Sequence, residues 1–164
     1  MDKLWAPWRS KYVTSLVGKQ TGCVFCNIAK EKRRDRSHFV IFRREFCYAV
    51  LNIYPYNNGH LMIVPYRHVN DTAKMKAAER ADFYEAMEIG KVLLRDAVSA
   101  QGLNIGINLG KQAGAGFPGH VHMHIVPRWQ GDVNFMPVTA DTKVISQSLK
   151  EVHKRLVDAY QRRY

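Results

Sequence analysis

Three histidines at alternate positions constrain this chain more than any other feature. The segment Gly119-His120-Val121-His122-Met123-His124-Ile125-Val126-Pro127-Arg128 alternates imidazoles with apolar side chains. A β-strand has a side-chain period of two. An extended segment therefore sends His120, His122 and His124 to one face and Val121, Met123 and Ile125 to the other. The apolar face belongs against a core. Three imidazoles are costly to bury without polar partners. Their face is thus a solvated sheet edge, a metal trio or a reactive cleft. A single ion shared by all three is excluded by reach, because alternate positions span about 13 Å at about 3.3 Å per residue.

The stretch just before it, Gly114-Ala115-Gly116-Phe117-Pro118-Gly119, is glycine-rich. Such loops are usually plain turns. Glycines also let backbone N–H groups approach phosphate oxygens closely. A neutral imidazole is a competent nucleophile toward phosphorus, and backbone donors stabilise the charge that develops there.

Lys plus Arg number 25 against 14 Asp plus Glu, a net charge of +11. That balance favours anionic partners such as nucleotides, nucleic acid or anionic lipid, or serves solubility alone. The basic residues are scattered (Arg33-Arg34, Arg43-Arg44, Arg162-Arg163), which argues against a nucleic-acid stripe. No run of 18 apolar residues exists, so no membrane span is expected. The first residues lack an apolar h-region, so no secretory signal is expected. The cysteines are Cys23, Cys26 and Cys47. An odd count without a secretory signal points to a reducing, cytoplasmic setting rather than a disulfide framework. Cys23-Val24-Phe25-Cys26 reads as a metal half-site or a redox pair, against the plainer alternative of two reduced, metal-free thiols. Cys47, in an apolar run, reads as a small core residue.

A chain of 164 residues favours a single domain over 1–164. Residues 1–20, rich in Trp and basic residues, read as an arm. Residues 23–31 suit a short helix. Strands are expected over 38–43, 46–51, 60–65, 103–109 and 121–127, with loops over 52–59 and 111–119. The clearest helix spans 77–100, with Phe83, Met87, Gly90, Leu94 and Val98 on one face and Gly102 as the stop. A second amphipathic helix, over 142–161, lies in the C-terminal segment 141–164. Strand runs broken by two main helices predict an α+β fold around an antiparallel sheet of about five strands.

The run His120 to Val126 resembles the His-φ-His-φ-His-φ-φ signature of the histidine-triad (HIT) superfamily, where φ is apolar. Asn52 followed by His60, in NIYPYNNGHLMIVPYRH, resembles the family's nucleoside-binding strand pair. Leu4-Trp5-Ala6-Pro7-Trp8-Arg9, the segment GAGFPGHVHMHIVPRW and Gly131-Asp132-Val133-Asn134-Phe135-Met136-Pro137 together resemble the bacterial branch that cleaves diadenosine tetraphosphate, near the fragile-histidine-triad enzymes. The resemblance implies a HIT-like fold, a homodimer through the 77–100 helix and an adjoining strand, and the following roles. His122 attacks the α-phosphorus and becomes nucleotidylated. His124 contacts bridging or α-phosphate oxygens. His60 supports the triad from behind. Asn52 binds ribose, Asn108 meets phosphate or ribose, Gly114 and Gly116 serve the phosphates, and Phe42, Leu51 and Ile53 wall the base. Zinc-bearing members use four ligands whose positions here are Cys23, Cys26, His68 (in Pro65-Tyr66-Arg67-His68) and His120. That implies a closed structural zinc site.

One departure bears on the reaction. Many members carry Gln, Ser or Thr in the loop before the triad, whereas this loop reads Ala115-Gly116-Phe117-Pro118-Gly119. A roomier loop admits inorganic phosphate as acceptor, so phosphorolysis stands beside hydrolysis. The alternatives to an enzyme are a catalytically weak nucleotide-binding or signalling module and a basic nucleic-acid or metal-storage protein. An intact triad argues against the first, since a mere binder has no need of His122, and salt-sensitive binding to random DNA would favour the second.

Overall fold

The computed structural model describes residues 22–132 and 147–164. The expected arm over 1–20, positions 133–137 of the segment after the triad, and positions 142–146 lie outside the described residues; the last helix, expected from 142, starts at Leu149 with Ser148 as its cap. The order is α1 (Val24–Lys30), α2 (Asp35–His38), β1 (Val40–Arg43), β2 (Cys47–Leu51), β3 (Leu61–Pro65), α3 (Ala77–Val98), β4 (Gly102–Ile107), β5 (Met123–Arg128) and α4 (Leu149–Arg163). The strands form one sheet in the order β1-β2-β3-β5-β4. Every neighbouring pair is antiparallel. This is the α+β, five-stranded arrangement that the strand pattern predicts.

β2 and β3 are buried at every position. Their period of two therefore sorts residues between two cores rather than between core and water. Cys47, Ala49, Leu51, Leu61 and Ile63 face α3 and α4, together with Met123 and Ile125 of β5. Tyr48, Val50, Met62 and Val64 face the other way, against Phe25 and Ile28 of α1. β1 breaks this rule. A register shift between Val40 and Phe42 sends both Ile41 and Phe42 to the α3/α4 side.

The buried residues of α3 include Phe83, Ala86, Ile89, Gly90, Leu93 and Leu94, a broader stripe than the sequence pattern suggests. A Cβ at Gly90 would lie 2.9 Å from Leu61 Cδ2 and 3.1 Å from Ile125 Cδ1, so glycine lets α3 settle onto β3 and β5. The stop of α3 is Ser99, left-handed at φ 53, and Gly102 instead opens β4. Asp82 of α3 grips the β1–β2 turn. It accepts hydrogen bonds from Arg44 Nε (2.7 Å) and the Phe46 N–H (2.9 Å), and from the buried Cys47 thiol.

Three of the predicted strands differ at an end, and β4 stops at Ile107 rather than 109. Position 38 ends a helical turn instead of opening β1, because Phe39 is left-handed (φ 58) and redirects the chain. β5 starts at Met123, because the Val121 N–H bonds the Val69 carbonyl at 2.7 Å before the ladder begins. Among the described residues, no helix is long and apolar enough to cross a membrane.

Candidate active site and metal centre

The alternation of the histidine segment sorts its side chains as the period requires. Val121, Met123 and Ile125 are buried in the α3/α4 core. The three imidazoles lie on the other face, but they serve two separate spaces. His120 Nε2 donates to the Pro65 carbonyl at 2.9 Å, so its Nδ1 carries a lone pair. That nitrogen lies 3.3 Å from Cys23 Sγ and 3.6 Å from Cys26 Sγ. His68 Nδ1 lies 3.3 Å from Cys26 Sγ. The four donor atoms all sit within 4.8 Å of one another. A tetrahedral ion with bonds of about 2.3 Å to sulfur and about 2.0 Å to nitrogen needs its donors roughly 3.4–3.8 Å apart. The three sulfur–nitrogen separations of 3.3, 3.3 and 3.6 Å match that, and the wider pairs within 4.8 Å need only a small inward shift. Burial pushes His120 down to about 4, which keeps it neutral, as a ligand must be. Cys23 caps α1 and Cys26 lies in its first turn, which brings both thiols to the end of the helix nearest His120.

His122 turns into a different space. Its Nδ1 lies 2.9 Å from the carbonyl oxygen of His120. A carbonyl has no proton to give, so Nδ1 is the donor and the lone pair sits on Nε2. Burial pushes the ring below its ordinary value, and the hydrogen bond only partly offsets this. The ring packs 4.9 Å from Phe25 and 4.8 Å from His124, centroid to centroid.

His124 has its own tautomer set from behind. The Tyr56 N–H donates to His60 Nδ1 at 3.1 Å, and Asn52 Nδ2 approaches the same atom at 3.3 Å. His60 therefore carries its proton on Nε2, which lies 2.9 Å from His124 Nδ1. With that nitrogen accepting, a neutral His124 keeps its proton on Nε2.

His122 and His124 line a cleft of about 340 Å³. Its walls are Val24, Phe25 and Ile28 of α1, His38, Val50, Leu51 and Met62 of the sheet, the loop Asn52 to Tyr56, and Gly114, Gly116 and Phe117. Of the expected site residues, Asn52, Leu51, Ile53, Gly114, Gly116, His122 and His124 meet here. Phe42 does not: the β1 register shift turns it to the opposite core, where it stacks on Tyr160 at 5.0 Å. Asn108 follows β4 and does not line the cleft. His60 stands behind His124, and His120 and His68 belong to the sulfur–nitrogen cluster.

The sequence reading missed the α1 wall, Val50, Met62, His38, Tyr54, Tyr56 and Phe117. The spacing of Val24, Phe25 and Ile28 marks one face of a short helix, and that was the available signal. What the helix covers was not local information.

The HIT domain matches residues 33–131. An AP-4-A phosphorylase of Mycobacterium tuberculosis (strain H37Rv) is 34% identical over 167 residues, covering 99% of this chain and 86% of that protein. A bis(5'-nucleosyl)-tetraphosphatase (asymmetrical) of Schizosaccharomyces pombe is 32% identical over 93 residues, 57% of this chain and 50% of that one. A Zn-bound histidine triad family protein from Mycobacterium smegmatis has a TM-score of 0.68 at 26% identity, covering 86% of this chain and 94% of that one. Domain match, relatives and shared fold agree with the triad geometry, and the chain belongs to the HIT family.

Proposed function

We propose that this enzyme splits dinucleoside polyphosphates of the diadenosine tetraphosphate type through a nucleotidyl-His122 intermediate. The observation that carries this reading is the 2.9 Å hydrogen bond from His122 Nδ1 to the His120 carbonyl, which leaves the nucleophilic lone pair on Nε2 beside the cleft. Nε2 bonds to the α-phosphorus as the bond from that phosphorus to its bridging oxygen breaks. The Nδ1 proton stays in place, so the positive charge gained by the ring leans on the His120 carbonyl. The Nε2–H of His124 donates to the bridging oxygen as negative charge gathers there. Backbone N–H groups around Gly114 and Gly116 hold phosphate oxygens, Asn52 holds the ribose, and α1 with Val50 and Ile53 encloses the base. An oxygen of phosphate or of water then attacks phosphorus, and the N–P bond breaks. Phosphate yields ADP and ATP; water yields AMP and ATP. The AGFPG loop has no hydroxyl or amide side chain to position water, which favours phosphate.

Product analysis with and without phosphate tests the acceptor: AMP plus ATP, indifferent to phosphate, refutes phosphorolysis. His122→Asn should lower turnover by about 10³-fold or more while nucleotide binding survives. A near-normal rate in that variant on every dinucleoside polyphosphate tried removes His122 as nucleophile.

The cluster Cys23, Cys26, His68 and His120 would hold zinc. The metal supplies a structural brace between α1 and the residue whose carbonyl orients His122. Metal analysis of protein purified without a His tag should give about one zinc per chain; none, with full activity, discards the site. Two copies pair through α3 and β4, whose outer edge and Ile105 side chain are exposed. Light scattering that finds a monomer counts against this. The three free cysteines suit a cytoplasmic setting.

A further inference from the structure

The metal cluster and the triad account for five of the seven histidines, once His60 is included with His68. His153 donates to the Val40 carbonyl at 2.9 Å and has a structural partner. His38 is left, and it lines the same cleft as His122 and His124. It stands at the other end of α1. Cys23, at the start of that helix, lies 3.3 Å from His120, whereas Glu31, at its end, lies 2.8 Å from His38. Eight residue steps from cap to cap separate the two by about 12 Å at about 1.5 Å per residue, the scale of a nucleoside monophosphate. Phosphates at the triad end put the base at the His38 end, beside Ile28 and Val50.

In that apolar end a polar side chain has an orienting role. The Glu31 carboxyl is held below its ordinary value by the hydrogen bond from His38, so it is a carboxylate and can only accept. His38 Nε2 must then be the donor. The ring nitrogen left for an occupant is Nδ1, which in the neutral ring is an acceptor.

We propose that His38, held in one tautomer by Glu31, is a specificity residue that accepts a hydrogen bond from the 6-amino group of adenine. The inference rests on the nucleotide reading of the cleft. A base with an oxo group at that position offers a lone pair to a lone pair and is disfavoured. Such a mismatch between buried polar groups discriminates more strongly than an apolar wall does. Glu31 acts through His38 and is a positioning residue.

The test is calorimetric binding of AMP and of IMP, which differ at the 6-position, to the full chain and to His38→Leu and Glu31→Ala, alongside turnover of diadenosine tetraphosphate. The wild-type chain should bind AMP about tenfold more tightly than IMP. Both variants should bring the ratio near one, and in turnover the loss should appear in KM with kcat kept. A merely structural role would weaken both nucleotides alike and leave the ratio unchanged, which overturns the proposal. A wild-type preference for IMP overturns it too, since Nδ1 would then be a donor. Should His38→Leu fail to fold, the ratio in Glu31→Ala decides. AMP binding without any turnover would strike at the proposed reaction and leave this inference standing.

Discussion

Two N–H groups, from the Tyr56 backbone and the Asn52 side chain, converge on His60 Nδ1. The proton of that ring therefore sits on Nε2, and the 2.9 Å bond to His124 makes His124 Nδ1 the acceptor. Three rings in sequence thus present the cleft with a lone pair at His122 and an N–H at His124. Removing His60 leaves the His124 tautomer unset. His60→Ala should lower kcat by about 10²-fold, the lower end of what a positioned proton donor contributes. The loss should shrink for substrates with better leaving groups, and His60→Gln, which keeps an N–H donor, should recover part of it. An equal loss on every leaving group would mean that His60 only supports the fold.

At the scale of elements, α1 is too short to be stable alone. It is held from outside, by Tyr48 Oη donating to the Phe25 carbonyl and Arg43 Nη2 donating to the Ile28 carbonyl, both at 2.9 Å. Arg43 also binds Asp35, which fixes α2 and with it His38. α3 is held differently, by shape. Its contact with β3 and β5 depends on the missing Cβ of Gly90. Gly90→Val should destabilise the chain by about 1–3 kcal/mol or more, because Leu61 and Ile125 are fully buried and cannot move aside. The urea midpoint reads this out, and an unchanged midpoint would show that the interface has slack.

Across the whole molecule, two half-exposed arginines pair with carboxylates that also anchor neighbouring loops. Asp132 accepts from Arg128 (2.6 Å) and from Asn57 (2.8 Å), tying the end of β5 to the loop before β3. Glu79 of α3 accepts from Arg67. Hydrogen bonds from these arginines hold both carboxyls at about 2, below their ordinary values of 3.8 and 4.5. Depressed acids contribute stability that is present above the ordinary value and lost as pH falls toward the folded one. The urea midpoint should therefore drop between about pH 4.5 and pH 2. The drop should be shallower in an Asp132→Asn, Glu79→Gln double variant. An equally steep fall there would assign acid lability to other carboxyls.

The sequence by itself determined what depends on neighbours along the chain. Alternation in the triad segment anticipates that Val121, Met123 and Ile125 face the core, although the strand itself begins only at Met123. The same local logic delivers five strands, two long helices and the family resemblance. Tertiary structure alone decided which histidine does what. His120 meets Cys23 across 97 positions and Pro65 across 55, and His60 meets His124 across 64. Those contacts divide one run of imidazoles into a ring beside two thiols, a ring whose lone pair sits on Nε2 beside the cleft, and a ring whose Nδ1 is turned to His60. Phe42 and His38 mark the same limit. A one-residue register shift in β1 and a left-handed Phe39 decide which of the two reaches the cleft. Neither is written in residue type, because a backbone irregularity is set by the packing that surrounds it.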